Sequence, residues 1–375
     1  ARAEAVQGGT GWCCGARPAM VPQPCPLPES PAMNRIDLVR PDAPALAGYG
    51  PHPVGFADWQ AVRPGQVDLV ATGAGAVQHA DRILPCAIWY PAAPTTAPGI
   101  TYTTLLRDGR QTATLSGRAC RSAAQAPGRF PLVILSHGYP GNRFLMSHLG
   151  ETLASRGFVV VAADHPGSTY EDKAAFGITL LHRPADQLFL IDAMAKGPLA
   201  ASTDTDRCAI IGYSMGGYGG LVAAGAGLSD IGLTWPGGAR PDLIAHLGEG
   251  TLPAPDPRLK AIVPIGPWGA QHGFWTDQAL AALRVPMLVI GGSADEISGY
   301  ERGIAHVFHA ATGADRWLLT YQNAGHNAAA PIPAPTSLGL APKIRVAAIA
   351  VHGPIAPNAM PARPDPAITD PRITR

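Results

Sequence analysis

A short apolar run at 208–211 ends in Gly212-Tyr213-Ser214-Met215-Gly216, and this stretch holds the residue types best suited to do chemistry. A serine at the tip of a tight strand-to-helix turn has cramped backbone angles. Its neighbours two positions away must then lack side chains, and the hydroxyl stands clear of the sheet. With 44 glycines in 375 residues this pattern arises by chance in roughly one such chain in five, so the surroundings have to decide. They fit: a β-rich run leads in, and a Gly/Ala-rich, proline-free stretch at 215–226 can continue as a helix.

A hydroxyl is a poor nucleophile at neutral pH and needs a base, which in turn needs an orienting acid. In the α/β-hydrolases, whose nucleophile elbow this turn resembles, the acid and then the base follow the serine in chain order, each just after a strand. Asp295 follows the apolar run 285–290 through Gly291 and Gly292, and His326 follows 317–321. Ser214 is therefore expected as nucleophile, His326 as base then acid, and Asp295 as the group that fixes the imidazole tautomer. Glu296 is the adjacent rival acid. Two backbone N–H groups should receive the oxyanion, one from Met215 at the helix start and one from the loop Ser136-His137-Gly138-Tyr139-Pro140-Gly141. Tyr139 is the expected donor because Pro140 has no N–H. The Tyr139 ring, Trp268 and Phe274 are candidate pocket walls, and ordinary core packing weighs equally for Trp268, Phe274 and Trp275.

The elements that must position these groups follow from the pattern. Continuous apolar runs at 131–136, 158–163, 208–211, 259–265, 285–290 and 317–321 read as strands buried on both faces. Helical spacing appears at 144–156, 215–226, 276–283 and 301–311, and at 184–195 with Pro184 as its first residue. The alternation implies an α/β fold with a doubly wound, mostly parallel sheet. An early strand at 82–90 is followed by what reads as a loop to about Gly128. Residues 228–258 interrupt the rhythm as an insertion or partial cap, with a short candidate helix at 243–247. The domain is expected over 33–330. Residues 1–32 read as an appended or disordered tail, with Met33 a candidate true start. Residues 331–375 hold ten prolines and read as a disordered tail, with a short helix-like run at 343–351.

Composition bounds the alternatives. Hydrophobic residues make up 46%, charged residues 15%, and the formal net charge is +1; no basic block accompanies it, so a nucleic-acid or anionic-membrane partner is not expected. No apolar run is long enough to span a bilayer. No basic-then-apolar leader opens the sequence, so the default location is the cytoplasm, or the exterior had a leader preceded the first residue. Six cysteines form no disulfide framework, with a Cys86–Cys120 bridge left as an alternative. His306 and His309 share a helix face without a third ligand and read as surface residues, so no metal is expected. His137 and His165 read as backbone-bonding histidines in turns.

The segments Leu135–Asn142, Ala163–Thr169, Arg183-Pro184-Ala185-Asp186, Gly212–Gly217 and Ile290–Asp295 together resemble the dienelactone-hydrolase-like serine esterases that include platelet-activating-factor acetylhydrolases. The Tyr213-Ser214-Met215-Gly216-Gly217 elbow and the tryptophan after the next strand are also similar to polyester-degrading cutinases. The resemblance covers roughly residues 82–326. It implies an α/β-hydrolase fold and carboxylic-ester hydrolysis through an acyl-enzyme, without a cofactor, on small to medium esters. A phospholipase-type acetylhydrolase or polyester hydrolase is the alternative within enzymes, and a non-catalytic binding scaffold the alternative outside them. Dienelactone hydrolases proper carry cysteine where Ser214 stands. Such enzymes also follow the histidine with a helix that 327–375 do not supply.

Overall fold

The computed structural model describes residues 34–39, 43, 47–68, 71–72, 76–173, 176–235 and 253–327, and the backbone of 349–352. Among the described residues a ten-stranded sheet forms the centre. In chain order its strands are β2 (Val54–Val67), β3 (His79–Pro91), β6 (Cys120–Arg121), β7 (Phe130–Ser136), β8 (Val159–Ala163), β9 (Thr203–Tyr213), β10 (Leu259–Ile265), β11 (Met287–Gly292), β12 (Arg316–Tyr321) and β13 (Ile349–His352). Their spatial order is β13-β12-β11-β10-β9-β7-β8-β3-β2-β6. The six strands from β8 to β12 pair in parallel, while β3 joins β8, β2 joins β3, and β13 joins β12 antiparallel. This is the expected doubly wound, mostly parallel arrangement.

Each face of the sheet has its own core, because strand side chains alternate. Leu132 and Ile134 of β7 join one apolar cluster with Leu190 of helix α2 (Phe176–Lys196) and Tyr218 of helix α3 (Met215–Ala223). Val133 and Leu135 join the other with Ala154 of helix α1 (Ser147–Ser155) and with Tyr102 and Leu115. Those last two belong to a separate three-stranded sheet, β1 (Asn34–Arg35), β5 (Thr112–Gly117) and β4 (Ile100–Leu105), which does on this face what a helix does elsewhere.

The small sheet is pinned through one buried carboxylate. Glu151 of α1 accepts from the Tyr102 and Tyr49 hydroxyls (2.6 and 2.7 Å) and from the Arg118 and Ala119 N–H groups (2.8 and 3.2 Å). Four donors on two oxygens satisfy a charge that burial would otherwise penalise. Residues 92–128 are thus not the continuous loop expected from their composition. Ile100–Leu105 and Thr112–Gly117 alternate buried and exposed side chains, joined by a turn at Asp108 and Gly109 that sets Gly109 at φ +68°.

Helix α2 begins eight residues earlier than Pro184, so proline lies inside it rather than at its start. A proline there removes the N–H that would reach the carbonyl four residues back, which is Leu180. The Tyr218 hydroxyl of α3 donates to Leu180 O at 3.0 Å instead. A partner 38 positions from that carbonyl in sequence compensates the break.

Two further expectations change. The 301–311 helix opens as a π-helical turn, Tyr300–Ala305, before one α-helical turn, His306–Ala310. Within 331–375, read as a disordered tail with a helix-like run, Ile349–His352 pairs with Leu318–Tyr321 as a strand. The candidate helix at 243–247 and the segment 1–32 lie outside the described residues; a short helix, α4 (Asp230–Leu233), opens the expected insertion. Among the described residues no helix is long and apolar enough to cross a membrane.

Candidate active site

β9 ends at Tyr213 and α3 starts at Met215, leaving Ser214 alone at the turn with φ 53° and ψ −110°. A side chain in that region costs of order 1–3 kcal/mol, so the surroundings must hold it. Ser214 N–H donates to Ile265 O (2.8 Å), and Trp268 N–H donates to Ser214 O (3.3 Å). The flanking glycines are required by contact. A Cβ on Gly212 would lie 2.1 Å from Gly216 O, and one on Gly216 would lie 2.0 Å from Ser136 O.

The three residues singled out by chain order come together across β9, β11 and β12. His326 Nε2 is 3.0 Å from Ser214 Oγ, and His326 Nδ1 is 2.8 Å from Asp295 Oδ2. The other Asp295 oxygen accepts from Ile297 N–H (2.9 Å) and Ser298 N–H (2.8 Å). A carboxylate with both oxygens accepting requires the imidazole proton on Nδ1, leaving Nε2 to accept from the serine hydroxyl. β10 lies between the serine strand and the acid strand, and its exit is kept low by Gly266 at φ +49°, where a Cβ would stand 3.3 Å from Asp295 Oδ2 and 3.4 Å from His326 Cε1. Glu296, the rival acid, is exposed and lines the cavity instead of meeting the imidazole.

Loop 136–139 runs beside the elbow. His137 is buried, and burial together with the nearby Arg183 holds its pKa well below the usual histidine range. Its Nδ1 lies 2.7 Å from Gly138 O and its Nε2 accepts from His165 N–H at 3.3 Å, so the proton sits on Nδ1. Pinning Gly138 C=O turns the opposite end of that peptide, the Tyr139 N–H, the other way. Neither the Tyr139 N–H nor the Met215 N–H has a backbone partner among the described residues.

A cavity of about 240 Å³ opens over Ser214. Its apolar wall is a chain of edge-on rings, Tyr139 to Phe176 (4.9 Å) to Trp268 (5.3 Å), and Arg107 and Glu296 bring opposite charges to its lining. The Tyr139 hydroxyl donates to Lys173 O. Phe274, expected as a wall, is not one: it is 0% exposed and packs behind Trp268 (5.1 Å) against Tyr218 and Trp275. Glycines with positive φ at 269 and 273 break the regular alternation that would have told the two aromatics apart. Sequence reasoning misses Phe176 and Arg107, because Pro184 points to a late start for α2 and the composition of 92–128 hides the β4–β5 hairpin. The Asp108-Gly109 pair, a strong hairpin signal between alternating runs, would have found the second.

A second Ser–His–Asp series lies deeper. Ser136 Oγ is 3.1 Å from His165 Nε2, and His165 Nδ1 is 3.0 Å from Asp186 Oδ2. None of the three is more than 1% exposed, so no substrate reaches Ser136. Burial would raise the Asp186 pKa, but the Arg82 charge and hydrogen bonds from Arg82 and His165 hold it well below the carboxylate range. Burial, helped by Arg183, lowers the His165 pKa to about 4. The His137 ring makes the backbone contacts expected of it, whereas the His165 ring hydrogen-bonds side chains, Ser136 and Asp186, instead of the backbone.

Cys86, Cys120 and Cys208 are free thiols, so the Cys86–Cys120 bridge is absent. Burial raises the Cys86 thiol to about 12. Among the described residues no group of three or more His, Cys, Asp or Glu could hold a metal ion, and His306 Nε2 instead meets Asp277 Oδ1 at 3.2 Å.

A family model described as PET hydrolase-like (PETase) matches residues 113–230, which include loop 136–139 and the elbow but not Asp295 or His326. Cutinase 2 of Thermobifida cellulosilytica is 30% identical over 166 residues, 44% of this chain and 48% of the cutinase. A bis(hydroxyethyl) terephthalate hydrolase of Streptomyces coelicolor is 26% identical over 201 residues, 53% of this chain and 51% of that enzyme. The chain thus spans about half the length of the curated relatives it matches. Among solved structures, a ferulic acid esterase from Streptomyces cinnamoneus superposes with a TM-score of 0.54 at 22% identity, covering 80% of each chain. The chain has the α/β-hydrolase fold, and its central region is similar to that of the cutinases and PET hydrolase-like enzymes.

Proposed function

We propose that the chain is a serine carboxylic-ester hydrolase working through an acyl-enzyme. The observation that carries this is His326, hydrogen-bonded on one side to Ser214 Oγ and on the other to Asp295, at the cavity floor. As Oγ bonds to the ester carbonyl carbon, its proton passes to Nε2. Asp295 stabilises the imidazolium that results, without itself taking the proton. The Met215 and Tyr139 amides receive the oxyanion, the former at a helix N-terminus whose dipole favours negative charge. The carbon–oxygen bond to the alcohol then breaks and the alcohol leaves with the proton from Nε2. Water repeats the sequence on the acyl-enzyme: His326 takes its proton, the acid is released, and Ser214 is restored. The reaction needs no redox change, and the residues named supply every proton transfer.

Hydrolysis of p-nitrophenyl esters from acetate to palmitate tests this, with Ser214→Ala as the blank. A peak at short chains that vanishes in the variant supports a small or medium acyl group, and undiminished turnover by the variant refutes the assignment. Stoichiometric labelling of Ser214 by an organophosphate excludes a binding scaffold.

The polyester reading has one observation in its favour. Ile297, on the cavity lining, is 51% exposed, and Ile231, two residues beyond Ser229 on the α4 turn that leads to Trp235, is 52% exposed. The Trp235 ring in turn meets Trp268 at 6.2 Å. Exposed apolar side chains at and near the cavity lining suit a solid or polymeric ester, as the names of the cutinase and terephthalate-ester relatives suggest. Ile231→Ser should then lower product release from a polyester film more than turnover of a soluble ester.

A further inference from the structure

Helix α2 contacts both segments that bear the two free amides. Gln187 Nε2 donates to Gly216 O at 2.9 Å, two peptides beyond the Met215 N–H. One turn earlier, Arg183 Nη1 donates to His137 O, in the peptide just before the one that carries the Tyr139 N–H, and Arg183 Nη2 donates to Ser168 Oγ at 2.6 Å. Arg183 and Gln187 are both 0% exposed. The helices approach closely enough that a Cβ on Gly219 would lie 2.6 Å from Arg183 Cγ and 2.7 Å from Gln187 Oε1. The two anchored segments also abut each other, since a Cβ on Gly216 would meet Ser136 O at 2.0 Å and His137 O at 3.0 Å.

We propose that Arg183 and Gln187 are positioning residues that fix the separation of the Tyr139 and Met215 amides, α2 serving as the ruler between oxyanion loop and nucleophile helix. Helix packing alone does not call for this pair. A buried guanidinium and a buried carboxamide cost desolvation that an apolar side chain of similar volume avoids. What they add is direction: each fixes one carbonyl, and with it the orientation of the neighbouring peptides. An oxyanion hole works only when both donors stand about 2.7–3.1 Å from the developing charge, so shifts of a few tenths of an ångström there are felt in the chemical step while ground-state binding is little changed. The inference rests on the ester-hydrolase reading.

The test uses the full chain with Gln187→Met, which keeps length and loses the donor, and Arg183→Lys, which keeps charge and loses the fork. Three quantities are read: kcat per active site titrated with an organophosphate, KM, and the ratio of kcat/KM for an ester over its thionoester. Sulfur accepts hydrogen bonds poorly, so that ratio reports how much the amides contribute. In both variants kcat per titrated site should fall about 10- to 100-fold. KM should change less than about threefold, and the ester/thionoester ratio should fall at least roughly fivefold. Leu190→Ala, a core change on the same helix, should lower Tm and leave all three quantities unchanged. A lower Tm in Gln187→Met with wild-type kcat per site and wild-type ratio overturns the proposal, even if Arg183→Lys fails to fold. Activity surviving in Ser214→Ala would overturn the underlying hydrolase reading instead.

Discussion

Replacing Tyr218 by Phe removes one oxygen atom and nothing else, and the structure assigns that oxygen a single task. Pro184 deprives Leu180 of its helical N–H partner, and the Tyr218 hydroxyl donates to that carbonyl at 3.0 Å. Tyr218 is 0% exposed, so water cannot take the vacated place. A buried carbonyl left without a donor costs about 1–3 kcal/mol. The ring contacts with Phe274 and Trp275 (6.1 and 5.6 Å) survive in Phe, so the loss is confined to the hydrogen bond. The same substitution made together with Pro184→Ala has a different outcome, because an alanine at that position restores an N–H that reaches Leu180 O. There the hydroxyl should be worth only about 0.5 kcal/mol, giving a coupling of roughly 1–2 kcal/mol in a double-mutant cycle. Urea unfolding of the four proteins, fitted with a common m value, measures it. Equal costs of Tyr218→Phe in the two backgrounds, within about 0.3 kcal/mol, would refute the idea that the tyrosine substitutes for the helix's own bond.

Asp295→Asn should lower kcat by about 10³- to 10⁴-fold with the fold intact: with its oxygen kept on the Ile297 and Ser298 amides, the new NH₂ faces His326 Nδ1 and forces the proton to Nε2. A loss below about tenfold would refute the tautomer argument. Glu151→Gln replaces one of two doubly accepting oxygens with a donor facing hydroxyl and amide donors, and should destabilise the chain by about 3 kcal/mol in urea unfolding. Acid should destabilise it through His165. Burial lowers its folded pKa to about 4, so its contribution is complete above the unfolded value of about 6.5 and is lost as pH falls toward 4. Between pH 7 and pH 5 His165 alone contributes about 2 kcal/mol, and His148 and His182, which burial also lowers to about 4, act in the same direction; unfolding free energies equal at the two pH values would contradict it.

Ser214, Asp295 and His326 are legible in the sequence because each closes or follows a short, mostly apolar run whose length and β-branched content suit a buried parallel strand. Other parts depend on contacts that no local pattern carries. The start of α2 is hidden because proline usually opens a helix, and the tyrosine that permits it inside lies in another element. Trp268 and Phe274 look alike in sequence, and the positive-φ glycines beside them decide which faces the cavity. Ser136, His165 and Asp186 repeat the hydrogen-bond pattern around Ser214, so residue types alone do not distinguish them; chain order, with the base before the acid, and burial do. Four residues, 349–352, are too short a run among prolines to read as a strand.

Ser214, Asp295 and His326 stand just past the carboxyl ends of parallel strands, which has a practical consequence for fixing the protein to a support through its amines. Lys260 lies at the opposite end of the sheet, at the start of β10, and Lys196 closes α2 on that same side; both are exposed. Lys173 is exposed too, but its carbonyl accepts from the Tyr139 hydroxyl at the cavity wall. Amine-reactive attachment of the protein as it stands would therefore turn some molecules with their mouths against the support. Lys173→Arg removes the amine beside the mouth, and molecules held through Lys196 or Lys260 would present the mouth outward.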